Sequence, residues 1–152
     1  MSSPLYYEDL EVGLRWESGG RTITEADVVA FAGVSGDFNP IHVDAVHAGT
    51  TAFGERIAHG ALVLAVATGL RQQQGTFHGT LKAWLGISDW RFRAPVKLGD
   101  TVHVITEVAG RRETRDPGAG LVTQAVEVRN QHDEVVASGE FATLVLQRAA
   151  AA

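Results

Sequence analysis

Between Gly60 and Gln73 the chain reads GALVLAVATGLRQQ, and the seven residues from Ala61 to Ala67 are all apolar. This stretch constrains the fold more than any other. A helix of that composition has almost no polar face before Thr68, so it must be covered on most of its circumference. Arg71 and the glutamines after it predict its exit into solvent. In a chain of 152 residues, the cover expected is a sheet curling around the helix. The sequence downstream supplies one. Leu81, Ala83, Leu85 and Ile87 alternate with other residues. The phase then shifts to Trp90 and Phe92, which predicts a bulge near Ser88 and Asp89. Three more strands come after it, over Thr101–Ala109, Leu121–Asn130 and Glu134–Gln147, separated by the turn sequences DPG and NQHD.

Upstream, residues 1–13 are polar and irregular, and Leu14–Ile23 predicts a strand broken at Ser18-Gly19-Gly20. Thr24 and Asp27 have the spacing of a capping box, and Val28, Phe31 and Ala32 continue an apolar stripe to about Val34. Asp37 to Asp44 carries enough turn signals to predict no regular structure, Asn39 being held out of helical geometry by Pro40. Asp44 is placed to cap a short helix over Ala45–Ala48, and Thr50–Ala58 reads as loop. The order is α+β, with an antiparallel sheet and helices gathered on one face. One domain is expected over residues 1–152, with its core in about 8–147 and a frayed tail over 148–152.

Charge and composition narrow the functions. The net charge is −5, and no Lys/Arg-rich block gives nucleic acid or an anionic membrane surface a footing. The longest apolar run is well short of a membrane span. With no cysteine, disulfides and thiolate metal sites are excluded. The N-terminus lacks the pattern of a secretory signal. The expected location is cytoplasmic.

The chemistry concentrates in Ala32–Gly60. Asp37 and His42 lie five positions apart among Gly36, Asn39 and Pro40, and the buried helix starts just beyond them. An acid and an imidazole on a stiff loop beside a helix N-terminus can activate a water next to a polarised carbonyl. Linear metal patterns do not fit. A calcium loop beginning at Asp37 would need Gly at 42 and Glu at 48, where the chain has His42 and Ala48. His42 and His47 do not make the helical zinc spacing. Nor is there a phosphate loop or a nucleophile elbow.

The segment Ser35-Gly36-Asp37-Phe38-Asn39-Pro40-Ile41-His42-Val43-Asp44, followed by Ile57-Ala58-His59-Gly60, closely resembles the MaoC-like dehydratase family, which includes the R-specific enoyl-CoA hydratases. The similarity extends from about Glu8 to Gln147 and includes Phe92, Arg93, Pro95 and Gly99-Asp100. It implies a hot-dog fold, an antiparallel sheet wrapped around a long central helix, which agrees with the buried stretch above. It implies catalytic roles for Asp37 and His42, an oxyanion-binding amide at Gly60, and a pocket hydroxyl at Thr68. Asn39 is expected beside the substrate, holding the loop in place. His59 is expected to be structural, and Trp84, Trp90 and Phe92 to pack on the sheet.

The implied activity is reversible hydration of a 2-enoyl thioester on coenzyme A or acyl carrier protein, in a homodimer whose sheets join, with neither cofactor nor metal. Arg71, Arg91, Arg93 and Lys97 are the cations available to the carrier's phosphates. Two alternatives stand. A hot-dog thioesterase often uses a carboxylate on or beside the central helix, and Ala61–Gln74 has none. A non-catalytic acyl-CoA-binding subunit has no need of the Asp37/His42 pair.

Overall fold

The computed structural model describes residues 4–73 and 75–148. The long apolar stretch forms α4, Gly60–Gln73, with the predicted bounds. Leu62, Val63, Val66, Ala67 and Leu70 face inward against Val104, Val126, Val128 and Phe141 of the sheet. Burial is less complete than the composition implied: Ala61, Ala65 and Gly69 form an exposed line of small residues on the other side.

The sheet is built from β1 (Arg15–Glu17), β2 (Arg21–Thr22), β3 (Leu81–Phe92), β4 (Thr101–Glu113), β5 (Ala119–Arg129) and β6 (Val135–Leu146). Its order is β1-β4-β5-β6-β3, with β2 also on β4, and every pairing is antiparallel. β3 is therefore an outer strand. The predicted irregularity is present, since the β3–β6 register shifts between Ser88 and Arg91 and Asp89 has φ 52°. Such bulges increase local bend and twist, which lets the sheet curve over α4. β4 and β5 run farther toward their hairpin than the alternation alone showed.

Two expectations for the chain ends change. Residues 4–13 are not merely polar and irregular. Tyr7–Asp9 makes a turn of 3₁₀ helix, and Tyr7 and Leu10 are buried with Phe77, Val108 and Val122 in a second small core. Arg148, assigned to the tail, is anchored: its N–H donates to the Glu8 carboxylate and its Nη2 to Asp9 Oδ2 at 2.6 Å. The rest of the expected tail, 149–152, and Gln74 lie outside the described residues. Among the described residues no helix is long and apolar enough to cross a membrane.

Candidate active site

The site is assembled by the segment joining α1 (Glu25–Ser35) to α4. Thr24 and Asp27 close the predicted capping box at the start of α1. Gly36, at φ 77°, ends the helix in the left-handed region, and its N–H reaches Ala32 O at 2.8 Å. The chain then turns tightly. The Asp37 N–H donates to Ser35 Oγ at 3.2 Å, and Asn39 N–H donates to Asp37 Oδ1 at 3.1 Å. Asn39 Oδ1 in turn accepts from Ile41 N–H at 3.2 Å.

Here the structure corrects the sequence reading. Pro40–Val43 is a short helix, α2, with Asn39 as N-cap and Pro40 at the first helical position. Pro40 does keep Asn39 out of helical geometry, but it also presets the first turn of the helix it opens. Asp44 caps α3, Ala45–Gly49, one residue longer than expected.

Helix α2 carries His42 inward, where it is buried. Its Nδ1 lies 2.7 Å from the carbonyl of Ile57. A carbonyl can only accept, so Nδ1 carries a proton, and in the neutral ring Nε2 presents the lone pair. Ile57 is fixed in place by its bridge to Lys97 and by its N–H bond to Ile41 O. His42 Nε2 faces Asp37 Oδ2 across 4.0 Å, while the Asp37 side chain stands 52% exposed at the rim. That gap is too long for a direct hydrogen bond. A span of this length is one that a water at about 2.8 Å from each atom bridges.

Beneath the pair lies His59, 2% exposed. Its ring stacks on His42 with centroids 3.8 Å apart, and its Nε2 donates to the backbone carbonyl of Asp37 at 2.9 Å. One imidazole thus braces both candidate catalytic residues. Nothing in the linear pattern assigned His59 so specific a task; its position just before Gly60, at the mouth of α4, was the available signal.

A cavity of about 420 Å³ opens beside His42. Gly60, the first residue of α4, lines it, and amides of a helix's first turn have no helical acceptor. Ile41, Phe53, Val63 and Val136 make most of the rest apolar. Phe92, expected to pack on the sheet, instead lies over Gly60 and is 59% exposed. Arg93 is also at the wall, and its Nε donates to Ser138 Oγ at 3.3 Å.

His42 and Gly60 therefore share one cavity, and Asp37 faces His42 from its rim; Asn39 does not line the cavity and meets the pair only through its N–H on Asp37 Oδ1. Thr68 stands apart from them. It sits two turns farther along α4, gives its hydroxyl proton to Ala65 O at 2.7 Å, and lines a separate cavity. Arg71 is likewise not at a solvent exit: it is buried, and so is removed from the cations available to a phosphate. The missed signal was its phase, since Val63, Ala67 and Arg71 recur at i, i+4 and i+8 along one buried face. Lys97 is paired with Glu55 at 2.7 Å.

Linear spacing also overlooked one grouping. Asp37, His42 and His59 each offer a donor atom, all within 4.8 Å of one another, and His59 Nδ1 is buried without a partner. Two imidazoles and a carboxylate suit a divalent cation in composition. Nδ1 of His42 and Nε2 of His59 are already engaged by backbone carbonyls.

Comparison with known proteins bears on this geometry. The family model described as a MaoC like domain matches residues 15–131. A 3-hydroxybutyryl-CoA dehydratase of Methylorubrum extorquens is 39% identical over 136 residues, covering 90% of this chain and 81% of that protein. An (R)-specific enoyl-CoA hydratase of Aeromonas caviae is 39% identical over 117 residues, covering 77% and 84%. Among solved structures, the (R)-hydratase of A. caviae superposes with a TM-score of 0.74 at 34% identity, over 90% of this chain and 97% of that one. A monoamine oxidase regulatory protein from Archaeoglobus fulgius gives a TM-score of 0.88 at 36% identity, over 96% and 97%.

Proposed function

The chain belongs to the family of MaoC-like domains, and we propose that it adds water reversibly to a 2-enoyl thioester, with Asp37 and His42 as its acid–base pair. The observation that carries the proposal is the Nε2 lone pair of His42 facing a carboxylate oxygen across a water-sized gap beside an apolar cavity. The protein is a hydro-lyase of the hot-dog fold.

The acyl thioester enters the cavity with its carbonyl oxygen toward the start of α4. The water between Asp37 and His42 gives a proton to the pair as its oxygen bonds to the β-carbon. The π electrons move to the thioester oxygen, which becomes an enolate. The Gly60 amide and the helix dipole stabilise that charge, and losing one such donor costs roughly 3 kcal/mol of barrier. The enolate collapses as the pair returns a proton to the α-carbon, on the face from which the water came. Dehydration is the same path reversed. The Asn39 N–H on Asp37 Oδ1 keeps the other oxygen aimed at the water. No step passes through a metal, so chelation leaves the rate unchanged on this reading.

The acyl group is carried on coenzyme A or acyl carrier protein, and Arg93 is the cation nearest the cavity. The working unit is a single domain, and it pairs as a homodimer. Support for pairing comes from the outer strand β3, which exposes Leu81, Trp84 and Leu85, and from the exposed line of small residues on α4. A chain with no cysteine gains nothing from an oxidising compartment, in keeping with work in the cytoplasm.

Crotonyl-CoA tests the activity. Loss of enoyl absorbance without free thiol is hydration, and thiol release is the thioesterase alternative. Asp37→Asn and His42→Gln are each expected to slow hydration by about 10²- to 10⁴-fold with the circular dichroism spectrum retained. Near-wild-type rates in both variants would remove the assignment. Light scattering that finds only monomer at assay concentration would remove the dimer.

A further inference from the structure

The far end of α4 has a cavity of its own. It measures about 200 Å³, lies between the last turns of α4 and the start of β3, and is lined by Thr68, Arg71, Leu81, Trp84 and Thr143 among others. Arg71 sets its chemistry. The residue is 5% exposed. Its Nη2 donates to Gln124 Oε1, and its Cζ lies 4.6 Å above the Phe141 ring. Its Nε is buried without a hydrogen-bond partner. Among the described residues no carboxylate pairs with it, and burial alone draws its pKa down to about 10, which leaves it charged at neutral pH.

A guanidinium has five N–H donors in a planar fork, and an unpaired buried charge is expensive to keep. The neutral groups around it repeat the shortage: Gln124 Nε2 is also buried and unpartnered. Gln124 stands opposite Phe141 in the sheet, so both of Arg71's neighbours belong to the wall beneath α4, and within one protomer the cavity is the side left open, at the edge of the face proposed to pair.

We infer that the Arg71 cavity binds a carboxylate, received by the guanidinium from the cavity side. A planar carboxylate matches the fork. A phosphate dianion does not suit a site with one cation and walls of Phe77, Leu81 and Trp84, whereas those walls suit methylenes leading to a carboxylate.

Two sources share this chemistry: the far end of an acyl chain, or a free small carboxylate. The first rests on the hydratase reading. The two cavities share no lining residue, so such a chain has to run along α4 and β3, which reach both, with Gly60 and Phe92 at one end and Arg71 and Trp84 at the other. Arg71 lies eleven positions beyond Gly60 along the helix, a rise of about 16 Å.

The test uses the full chain, Arg71→Met and Arg71→Lys. Each is given 2-enoyl-CoA substrates of four to ten carbons, with and without a terminal carboxylate, and each is melted in the presence of acetate or succinate. For at least one length, the wild type is expected to favour the carboxylated substrate. The ratio of kcat/KM between carboxylated and plain substrates is expected to fall about 30-fold or more in Arg71→Met, and less in Arg71→Lys. Carboxylate that raises the Tm of the wild type and not of Arg71→Met, with no preference among thioesters, assigns the free acid. No preference and no such Tm shift overturns the inference. If neither thioester class is hydrated, the hydratase reading fails while the melting experiment still decides this one. Should Arg71→Met not fold, the wild type against Arg71→Lys carries both comparisons.

Discussion

The Phe92 ring lies so close over Gly60 that a methyl group on the Gly60 α-carbon would stand 2.6 Å from its Cζ. The first amide of α4 is thus roofed by an aromatic ring, and only a residue without a side chain leaves both in place. Gly60→Ala should push the ring out of the cavity and disturb the oxyanion position. A fall in kcat of about 10²-fold is expected, in line with removal of one oxyanion donor. Adding Phe92→Leu should restore part of it by making room. Steady-state kinetics of the single and double variants check this; an active Gly60→Ala would show that the ring yields freely.

His59 is a positioning residue on this geometry. It never reaches the water, yet it holds the Asp37 backbone through Nε2 and supports the His42 ring from below. His59→Phe keeps the stacking and loses the bond to Asp37. It should lower kcat by about 10- to 100-fold with KM little changed, since small misplacements of a reacting group have effects of that size. His59→Gln, which keeps a donor, should recover part of the loss. Equal loss in both variants, with a large change in KM, would point to a damaged cavity instead.

The sequence specified the elements that obey local rules. Fourteen residues of α4 were bounded by Gly60 and the glutamines, the α1 cap by Thr24 and Asp27, and the β3 bulge by a change in alternation. Asp37 and His42 were legible because a motif puts them near each other along the chain. What escaped depends on what meets across the fold. Leu10 shows no periodicity in a polar leader, yet it is wholly buried because Phe77 and Val122 wait to cover it. Phe92 looks like any strand aromatic until the first turn of α4 is placed under it. Arg71 breaks an apolar stripe, and nothing near it in sequence reveals that Gln124 and Phe141 will enclose it. α2 was missed because Asn-Pro marks both a turn and a helix start, and the residues after Pro40 decide between them.

The capping box on α1 gives an acid-sensitive contribution to stability. The Asp27 carboxylate accepts from the Thr24 N–H at 2.8 Å, from the Thr24 hydroxyl at 2.7 Å, and from Arg21 Nη2 at 2.7 Å. The Thr24 backbone N–H, then its hydroxyl and the Arg21 charge, hold the Asp27 pKa below the ordinary 3.8. A carboxylate depressed in the folded state stabilises above its unfolded pKa, and that stabilisation is lost as pH falls through the folded value. Asp27→Asn should therefore cost about 1 kcal/mol at pH 7. The difference should disappear once pH drops below the depressed value. Urea unfolding of both proteins from pH 7 downward measures it: the gap should narrow as the carboxylate protonates, and a gap that does not change with pH would assign the loss to packing.

Arg71 predicts the opposite dependence, at the alkaline end. Its folded pKa of about 10 lies below the ordinary guanidinium value, and burial is the cause. Between those two values the unfolded chain holds a proton that the folded chain has released, so stability from this group rises with pH through that window. Below about 10 the cost of keeping the buried charge is present in full, roughly 3 kcal/mol if nothing offset it. The bond to Gln124 and the face of Phe141 offset part of that. Arg71→Met, which fills similar space without charge, should thus be as stable as the wild type or more so at pH 7, by up to about 3 kcal/mol. The advantage should narrow as pH is raised toward 10 and beyond. Urea midpoints for both proteins at pH 7, 9 and 10.5 test this. A variant weaker by several kcal/mol at pH 7 would mean that Gln124 and Phe141 already satisfy the guanidinium, and that the fold keeps Arg71 for its own stability and not for a ligand.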